Sequence, residues 1–157
     1  MNSRIALSVL ITGMLFSFLG SISSCSKSSS CGKTNVSKDG GNESHNNGRN
    51  CMDCHHDGGG GYGCFNIAGS AFTAAGDGVS GGTVRLYSEP NGQGTLLATL
   101  SIDKLGNFYT TNAFSVGNGF YPMIENSIGH KVYMPSPATS GSCNSCHGVS
   151  TSRIQIQ

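Results

Sequence analysis

The stretch TVRLYSEPNGQGTLLATLSI, residues 83–102, decides the fold class of this chain. Its first six residues alternate so that Val84 and Leu86 fall on one face, which predicts a half-buried strand. Residues 89–94 are rich in Pro, Asn and Gly, a composition typical of a tight turn. Residues 95–102 then predict the next strand, which would run back beside the first.

The same short-strand pattern continues on both sides of this hairpin. Glycine-containing turns separate further segments with alternating or β-branched and aromatic residues. We therefore predict a mainly β protein, an antiparallel β-sandwich of about six to seven short strands. The additional strands are expected at 65–72, 107–111, 120–125 and 130–134, with a last edge strand within 152–157.

The composition supports this fold class and excludes one class of partner. The chain has 24 Gly, no Trp and only 11% charged residues, which favours turn-rich β structure over charged helices. The formal net charge is +1 and no block of basic residues is present. Because nucleic-acid binding needs clustered Lys and Arg, we expect no nucleic-acid partner.

One five-residue pattern occurs twice, as Cys51-Met52-Asp53-Cys54-His55 and Cys143-Asn144-Ser145-Cys146-His147. This C-x-x-C-H pattern is the attachment signature of covalent c-type haem. Two thiols at this spacing can form thioethers to the two vinyl groups of one porphyrin, and the adjacent histidine then binds the iron. The sequence thus predicts two covalent haem c groups, held by the thiols of Cys51, Cys54, Cys143 and Cys146, with His55 and His147 as iron ligands.

Two other chemistries use paired cysteines. The C-x-x-C pairs could act as redox dithiols, or all four cysteines could form a zinc site. Neither alternative needs a histidine directly after each pair. Zinc sites of this kind are also usual in reducing compartments, and the N-terminus argues against such a compartment.

The first 25 residues read as an export signal. After Arg4 comes an apolar run, then mostly small residues from Gly20 to Ser24, and then Cys25. The stretch Ile22-Ser23-Ser24-Cys25 resembles a bacterial lipobox, in which the cysteine becomes the lipidated first residue. We therefore expect lipidation at Cys25 and an exported, lipid-anchored protein at the cell envelope or outer surface.

The expected organisation has five parts. A lipoprotein signal peptide occupies 1–24, and a flexible Ser-, Asn- and Gly-rich tether occupies 25–50. The first haem segment covers 51–64 and includes a glycine run that either wraps the macrocycle or serves as a linker. The β-sandwich covers 65–134, and 135–157 contain the second haem segment and the edge strand.

Two cysteines remain after the motifs and Cys25 are assigned. Cys31 and Cys64 either form a disulfide, as leftover thiols outside the cytoplasm commonly do, or remain unpaired. The disulfide would join the predicted tether to the chain beside the first haem motif.

The second axial ligand of each iron is less determined. Electron transfer favours two strong ligands on each iron, whereas catalysis or gas binding needs an open position. By resemblance to small multihaem cytochromes, in which C-x-x-C-H-H doublets occur, His56 is expected on haem 2, and His130 would then serve haem 1. His45, Met123 and Met134 remain alternatives.

An even number of antiparallel strands returns the chain to the end of the sandwich at which it entered. Haem 1 precedes the first strand and haem 2 follows the sixth, so both are expected at the same end, as an intramolecular pair. An odd count would place them at opposite ends and favour end-to-end assembly of subunits.

Two resemblances follow from these residues. The segments Ile67-Ala68-Gly69, Gly81 to Leu86 and Asp103 to Phe108 resemble the carboxypeptidase-regulatory or transthyretin-like β-sandwich, a family that implies structure or binding rather than chemistry. The two C-x-x-C-H motifs are similar to those of c-type cytochromes. The combination resembles exported bacterial haem lipoproteins with a β domain between two haem sites.

The leading hypothesis is an exported dihaem electron carrier, not an enzyme, that works with redox partner proteins or self-associates into a haem chain. Haem propionates would make the holoprotein mildly acidic, which favours partners with basic or neutral surfaces. The alternatives are a surface module that binds carbohydrate or protein, with structural cysteine clusters or zinc, and a haem enzyme or sensor with one open iron.

Overall fold

Seven short strands account for most of the regular structure. The computed structural model describes residues 31–114 and 117–157. The mainly β fold expected from the sequence is confirmed, with strands close to the predicted segments. The strands are β1 (Ile67–Phe72), β2 (Thr83–Tyr87), β3 (Leu96–Ser101), β4 (Asn107–Thr110), β5 (Tyr121–Glu125), β6 (Lys131–Tyr133) and β7 (Ile154–Gln155).

The strands form two sheets, as a sandwich requires. One sheet has the order β4-β1-β7 and the other the order β3-β2-β5-β6. All pairs are antiparallel except β1 and β7, which are parallel. The expectation of a wholly antiparallel sandwich is therefore wrong at this edge. Strands β5 and β6, which precede β7, belong to the other sheet. The chain therefore returns to the first sheet before β7 and runs along β1 in the same direction.

The core lies between the sheets. Val84 and Leu86 alternate inward from β2 as predicted, and each is 1% exposed. Phe108 from β4 and Ile67 from β1 meet them from the opposite sheet. On the outer face of β2, Arg85 forms an ion pair with Glu125 of β5. This pairing holds the pKa of the Glu125 carboxyl below its ordinary value.

Strand β1 is buried along its whole length, as its partner β4 is and as no strand of the other sheet is. Its sequence, IAGSAF, consists mostly of small residues, and both C-x-x-C-H turns contact it. A Cβ atom on Gly69 would lie 2.4 Å from Phe108 Cζ and 2.8 Å from Cys143 Cβ. Gly69 therefore allows the second motif to approach the sheet closely.

Residues 31–50 are not the flexible tether that their composition predicts. The Ser37 hydroxyl is buried and donates to the backbone carbonyl of Ser101, and Val36 forms a β-bridge to Thr110. The Ser and Asn side chains of this segment hydrogen-bond the sheet and its turns, which compensates for the small apolar area they bury. Residues 25–30 of the predicted tether lie outside the described residues.

A disulfide joins Cys31 to Cys64, which is one of the two alternatives that the sequence left open. It closes a loop with a sequence separation of 33 residues that contains the whole first C-x-x-C-H motif. The covalent link therefore fixes the start of the described chain beside this motif.

The predicted signal peptide and the lipidation site Cys25 lie outside the described residues. Within residues 31–114 and 117–157, no helix is both long and apolar enough to cross a bilayer.

Replacing Cys31 and Cys64 together with Ser should lower the free energy of unfolding by about 3 kcal/mol, because the unfolded chain gains the entropy of an open loop of this length. Denaturant unfolding of the holoprotein measures the change. A mild reductant that opens the Cys31–Cys64 disulfide should lower the free energy of unfolding of the wild type by a similar amount. The double variant has no disulfide to open, so the same reductant should leave its stability unchanged. Equal stabilities of variant and wild type would contradict the structural role of the disulfide.

Candidate functional site

The first C-x-x-C-H motif forms a short 3-10 turn over Cys51–Asp53. Asn50 caps its start, because the Asn50 side chain accepts a hydrogen bond from the Met52 amide. The His55 amide donates to the Cys51 carbonyl over 3.0 Å, which closes the turn and places the histidine directly after the two thiols.

The second motif repeats this geometry. Its 3-10 turn covers Cys143–Ser145, and the His147 amide donates to the Cys143 carbonyl, again over 3.0 Å. The second cysteine of each motif follows its turn with a similar backbone, φ −116° at Cys54 and −110° at Cys146. Two distant segments of sequence thus form the same local structure.

Both motif histidines are oriented in the same way. His55 Nδ1 lies 3.0 Å from the Tyr62 carbonyl oxygen, and His147 Nδ1 lies 2.9 Å from the Ser152 carbonyl oxygen. A carbonyl only accepts hydrogen bonds, so each Nδ1 carries a proton, and in the neutral imidazole Nε2 then keeps its lone pair. This is the tautomer and the outer hydrogen bond that a metal-binding histidine requires.

Ring stacking and a glycine fix the His55 ring further. Phe65 stacks on it with a centroid distance of 4.0 Å, and Tyr109 stacks on Phe65 at 4.8 Å. The Gly61 amide donates to the Cys54 carbonyl, and a Cβ on Gly61 would lie 2.7 Å from the His55 ring. The glycine run therefore wraps the motif itself, which neither reading from the sequence anticipated.

The two motifs lie side by side at the surface of β1. The Ser142 hydroxyl donates to the Asn50 side-chain oxygen over 2.6 Å, and these residues precede the second and the first turn respectively. The Asn144 side chain also donates to the Arg49 carbonyl over 2.9 Å. These hydrogen bonds bring the two motifs together within one chain, while the pair of haems expected there stays a prediction.

A buried polar network lies beneath both turns and consists of Ser70, Asn107 and Asn144. The Ser70 hydroxyl donates to Asn107 Oδ1 over 2.5 Å and accepts from Asn144 Nδ2 over 3.0 Å. Asn144 Oδ1 accepts in turn from the Ser70 amide. Each of the three residues is at most 2% exposed. The network connects β1, β4 and the second motif without leaving the side-chain polar atoms of these residues unpaired.

Each motif borders its own cavity. A cavity of about 380 Å³, here the polar cavity, lies beside Cys51, Cys54 and His55. Another of about 520 Å³, the apolar cavity, lies beside Cys143, Cys146 and His147 and reaches core side chains between the sheets. Both volumes fall within the range typical of small-molecule and cofactor sites.

The four motif cysteines are free thiols. Burial raises the pKa of the Cys143 thiol to about 12, and the nearby Cys51 adds to this shift. Burial also raises the pKa of the Cys51 thiol. Both thiols therefore stay neutral at pH 7 in the absence of a bound metal, whereas a reactive redox dithiol is a thiolate. Within the described part of the chain, no three His, Cys, Asp or Glu side chains are grouped to hold a metal ion.

These observations fit covalent haem. Each motif offers two free thiols at the attachment spacing, a histidine whose Nε2 is available for iron, and an adjoining cavity of cofactor size. The residues that would hold haem 1 are Cys51, Cys54 and His55, and those that would hold haem 2 are Cys143, Cys146 and His147.

The other candidate iron ligands are dispersed. His130 follows the β5–β6 turn and its Nδ1 contacts the Gln157 carbonyl oxygen, while His56 Nδ1 contacts the Asp57 carbonyl oxygen. Neither histidine lines either cavity described above. His45 lines the polar cavity and Met134 the apolar cavity, whereas Met123 is buried within β5.

Sequence reasoning missed the polar network. Asn144 is one of the two variable residues inside a C-x-x-C-H motif, where no particular residue type is expected. The one available signal is that Asn144 is a polar residue directly after Cys143, whose side chain packs against the core. The Asn144 partner Ser70 lies 74 residues away along the chain, and Asn107, the next member of the network, lies 37 residues from Ser70, so no local pattern reveals such pairs.

Comparison of the chain with models of protein families, with curated proteins and with solved structures found no match.

We expect Asn144→Ala to lower the free energy of unfolding by about 2 kcal/mol, because the buried Ser70 amide and the Arg49 carbonyl lose their partner. Ser145→Ala is the matched control: it alters the other variable position of the same motif, where an exposed hydroxyl donates to the Ser142 carbonyl. The control should lose less than about 1 kcal/mol. Chemical denaturation of both variants tests this difference, and equal losses would show that the network contributes no special stability.

Proposed function

We propose that this protein is an exported dihaem c-type cytochrome that transfers electrons at the cell envelope or surface. It acts as a carrier rather than as a catalyst. The observation that carries the proposal is the repetition of one turn geometry at both C-x-x-C-H motifs, down to the carbonyl contact of each histidine Nδ1.

The chain's own residues attach and orient the cofactor. Each thioether forms when a cysteine S–H adds across a vinyl C=C bond, so that a carbon–sulfur bond forms and the hydrogen remains on the product. This addition releases no atom and consumes no oxidant. The Nδ1 hydrogen bonds of His55 and His147 fix the tautomer and increase the basicity of Nε2. When bound, haem c supplies an iron that gains and loses one electron.

The placement of the motifs supports electron exchange between the two sites. The Asn50–Ser142 and Asn144–Arg49 hydrogen bonds hold the two turns in direct contact. Cofactors attached to adjacent turns are close without any movement of domains. An electron that enters one site therefore reaches the other within the same chain.

Lipidation at Cys25 would hold the first site near the membrane. Cys31 follows Cys25 by six residues, and the Cys31–Cys64 disulfide fixes Cys31 to the chain just after the first motif. Six extended residues span at most about 20 Å. Partners would be redox proteins at the membrane surface, or further copies of this chain assembled into a haem chain.

Expression with haem-maturation machinery should yield a coloured protein that retains two haems per chain after denaturation. Cys51→Ala with Cys54→Ala, and Cys143→Ala with Cys146→Ala, should each lose one haem, because each pair forms both thioethers of one group. Intact mass and the haem absorbance per chain measure the count. Cys31→Ser with Cys64→Ser is the control, since it removes two cysteines and should keep both haems.

A colourless protein that copurifies with zinc would contradict this function and favour the structural-cysteine alternative. A protein with two haems, one of which is high-spin and turns over a substrate, would instead support a haem enzyme.

The two irons should also influence each other in the oxidised protein, because the motifs lie on adjacent turns. Electron paramagnetic resonance should show broadened or split signals in the wild type. The signals should become those of an isolated haem in each single-haem variant. Wild-type signals that equal the sum of the two single-haem spectra would contradict a close haem pair.

A further inference from the structure

The rings of His45 and His55 lie near each other beside the first motif. Their ring centroids are 6.1 Å apart, with an angle of 36° between the ring planes. Both residues line the polar cavity, together with Cys51 and Cys54. The thiols, the motif histidine and a second histidine are thus gathered around one space of cofactor size.

This centroid distance matches that of two histidines placed on opposite sides of one metal. Metal–imidazole bonds of about 2.0 Å, with about 1.1 Å from each nitrogen to its ring centre, separate coaxial ring centroids by about 6.2 Å. Direct aromatic stacking brings rings closer, as in the 4.0 Å stack between His55 and Phe65. Phe65 therefore stacks directly on His55, whereas His45 lies at the larger distance that would leave room for a metal ion between the two histidines.

The loop that carries His45, residues 43–49, is fixed to the polar network. Asn107 Nδ2 donates to Ser44 Oγ and to Asn47 Oδ1, each over 2.8 Å. The Gly48 amide donates to the Ser70 hydroxyl over 2.9 Å. Because the residues on both sides of His45 bind buried partners, its backbone is held beside the motif even though its side chain is exposed.

No other histidine occupies a comparable position. The chain has five histidines, and the structure describes all of them. His56 is the immediate neighbour of His55, so it cannot reach the opposite face of the same iron. His130 lies outside the lining of the polar cavity and contacts the Gln157 carbonyl oxygen.

From this juxtaposition we infer that His45, and not His130, is the second axial ligand of haem 1. The inference rests on the proposed function and deepens it. His45 and His55 would then hold the iron of haem 1 together, and two histidine ligands would make this haem low-spin. Two strong ligands suit electron transfer and exclude an open coordination position at this site.

The test uses the full-length holoprotein with both haems attached. His45→Ala should keep two covalent haems by mass, because no thioether is altered, but it should convert one haem per chain from low spin to high spin. The reduced variant should bind one more carbon monoxide per chain than the reduced wild type, since one iron has lost its sixth ligand. Added imidazole should restore the low-spin spectrum.

The control is His130→Ala, which should leave the spin state and the carbon monoxide count unchanged. His45→Met keeps a ligand at the site and should replace the bis-histidine near-infrared signature of one haem by that of histidine–methionine ligation. If His45→Ala folds poorly, His45→Met still tests whether residue 45 is the second ligand of haem 1.

An unchanged low-spin spectrum in His45→Ala, or the same conversion in His130→Ala, would overturn the assignment while leaving the dihaem function intact. A wild-type chain without covalent haem would overturn the proposed function itself, and mass spectrometry separates these two results.

Discussion

The arrangement of the candidate site depends on three buried polar side chains, Ser70, Asn107 and Asn144. Ser70 donates to Asn107 and accepts from Asn144, while Asn144 also binds the backbone of the first motif at Arg49. Asn107 holds the loop that carries His45. Since a buried amide without partners costs about 1 to 3 kcal/mol, a shift of any one of these segments that breaks the network is unfavourable.

Strand β1 provides the surface on which this network can form. Its small residues allow chain segments to cover both of its faces, and Gly69 in particular leaves room for Cys143. The first motif precedes β1 and the second follows β6, yet both contact β1. The remaining strands bring the two ends of the chain back to one place and fill the core between the sheets.

Local pattern was enough to predict the strands, and long-range polar contacts were not. The alternation at Val84 and Leu86 indicated strand β2 because a half-buried strand repeats every two residues. Residues 31–50 were expected to be a tether because they are polar, but polar side chains such as Ser37 can be ordered by hydrogen bonds to distant backbone. The position of His45 likewise depends on Asn107, 60 or more residues away from the loop it binds.

Under the proposed function the two sites are unequal, and their surroundings give electron flow a direction. The polar cavity is lined by charged residues including Glu43, Arg49 and Asp53, whereas the apolar cavity reaches the core. Apolar surroundings disfavour the additional charge of an oxidised iron, so a haem at the apolar cavity would have a higher reduction potential than one at the polar cavity. A haem at the first motif would then be the stronger reductant, and electrons would pass from it to the site at the apolar cavity.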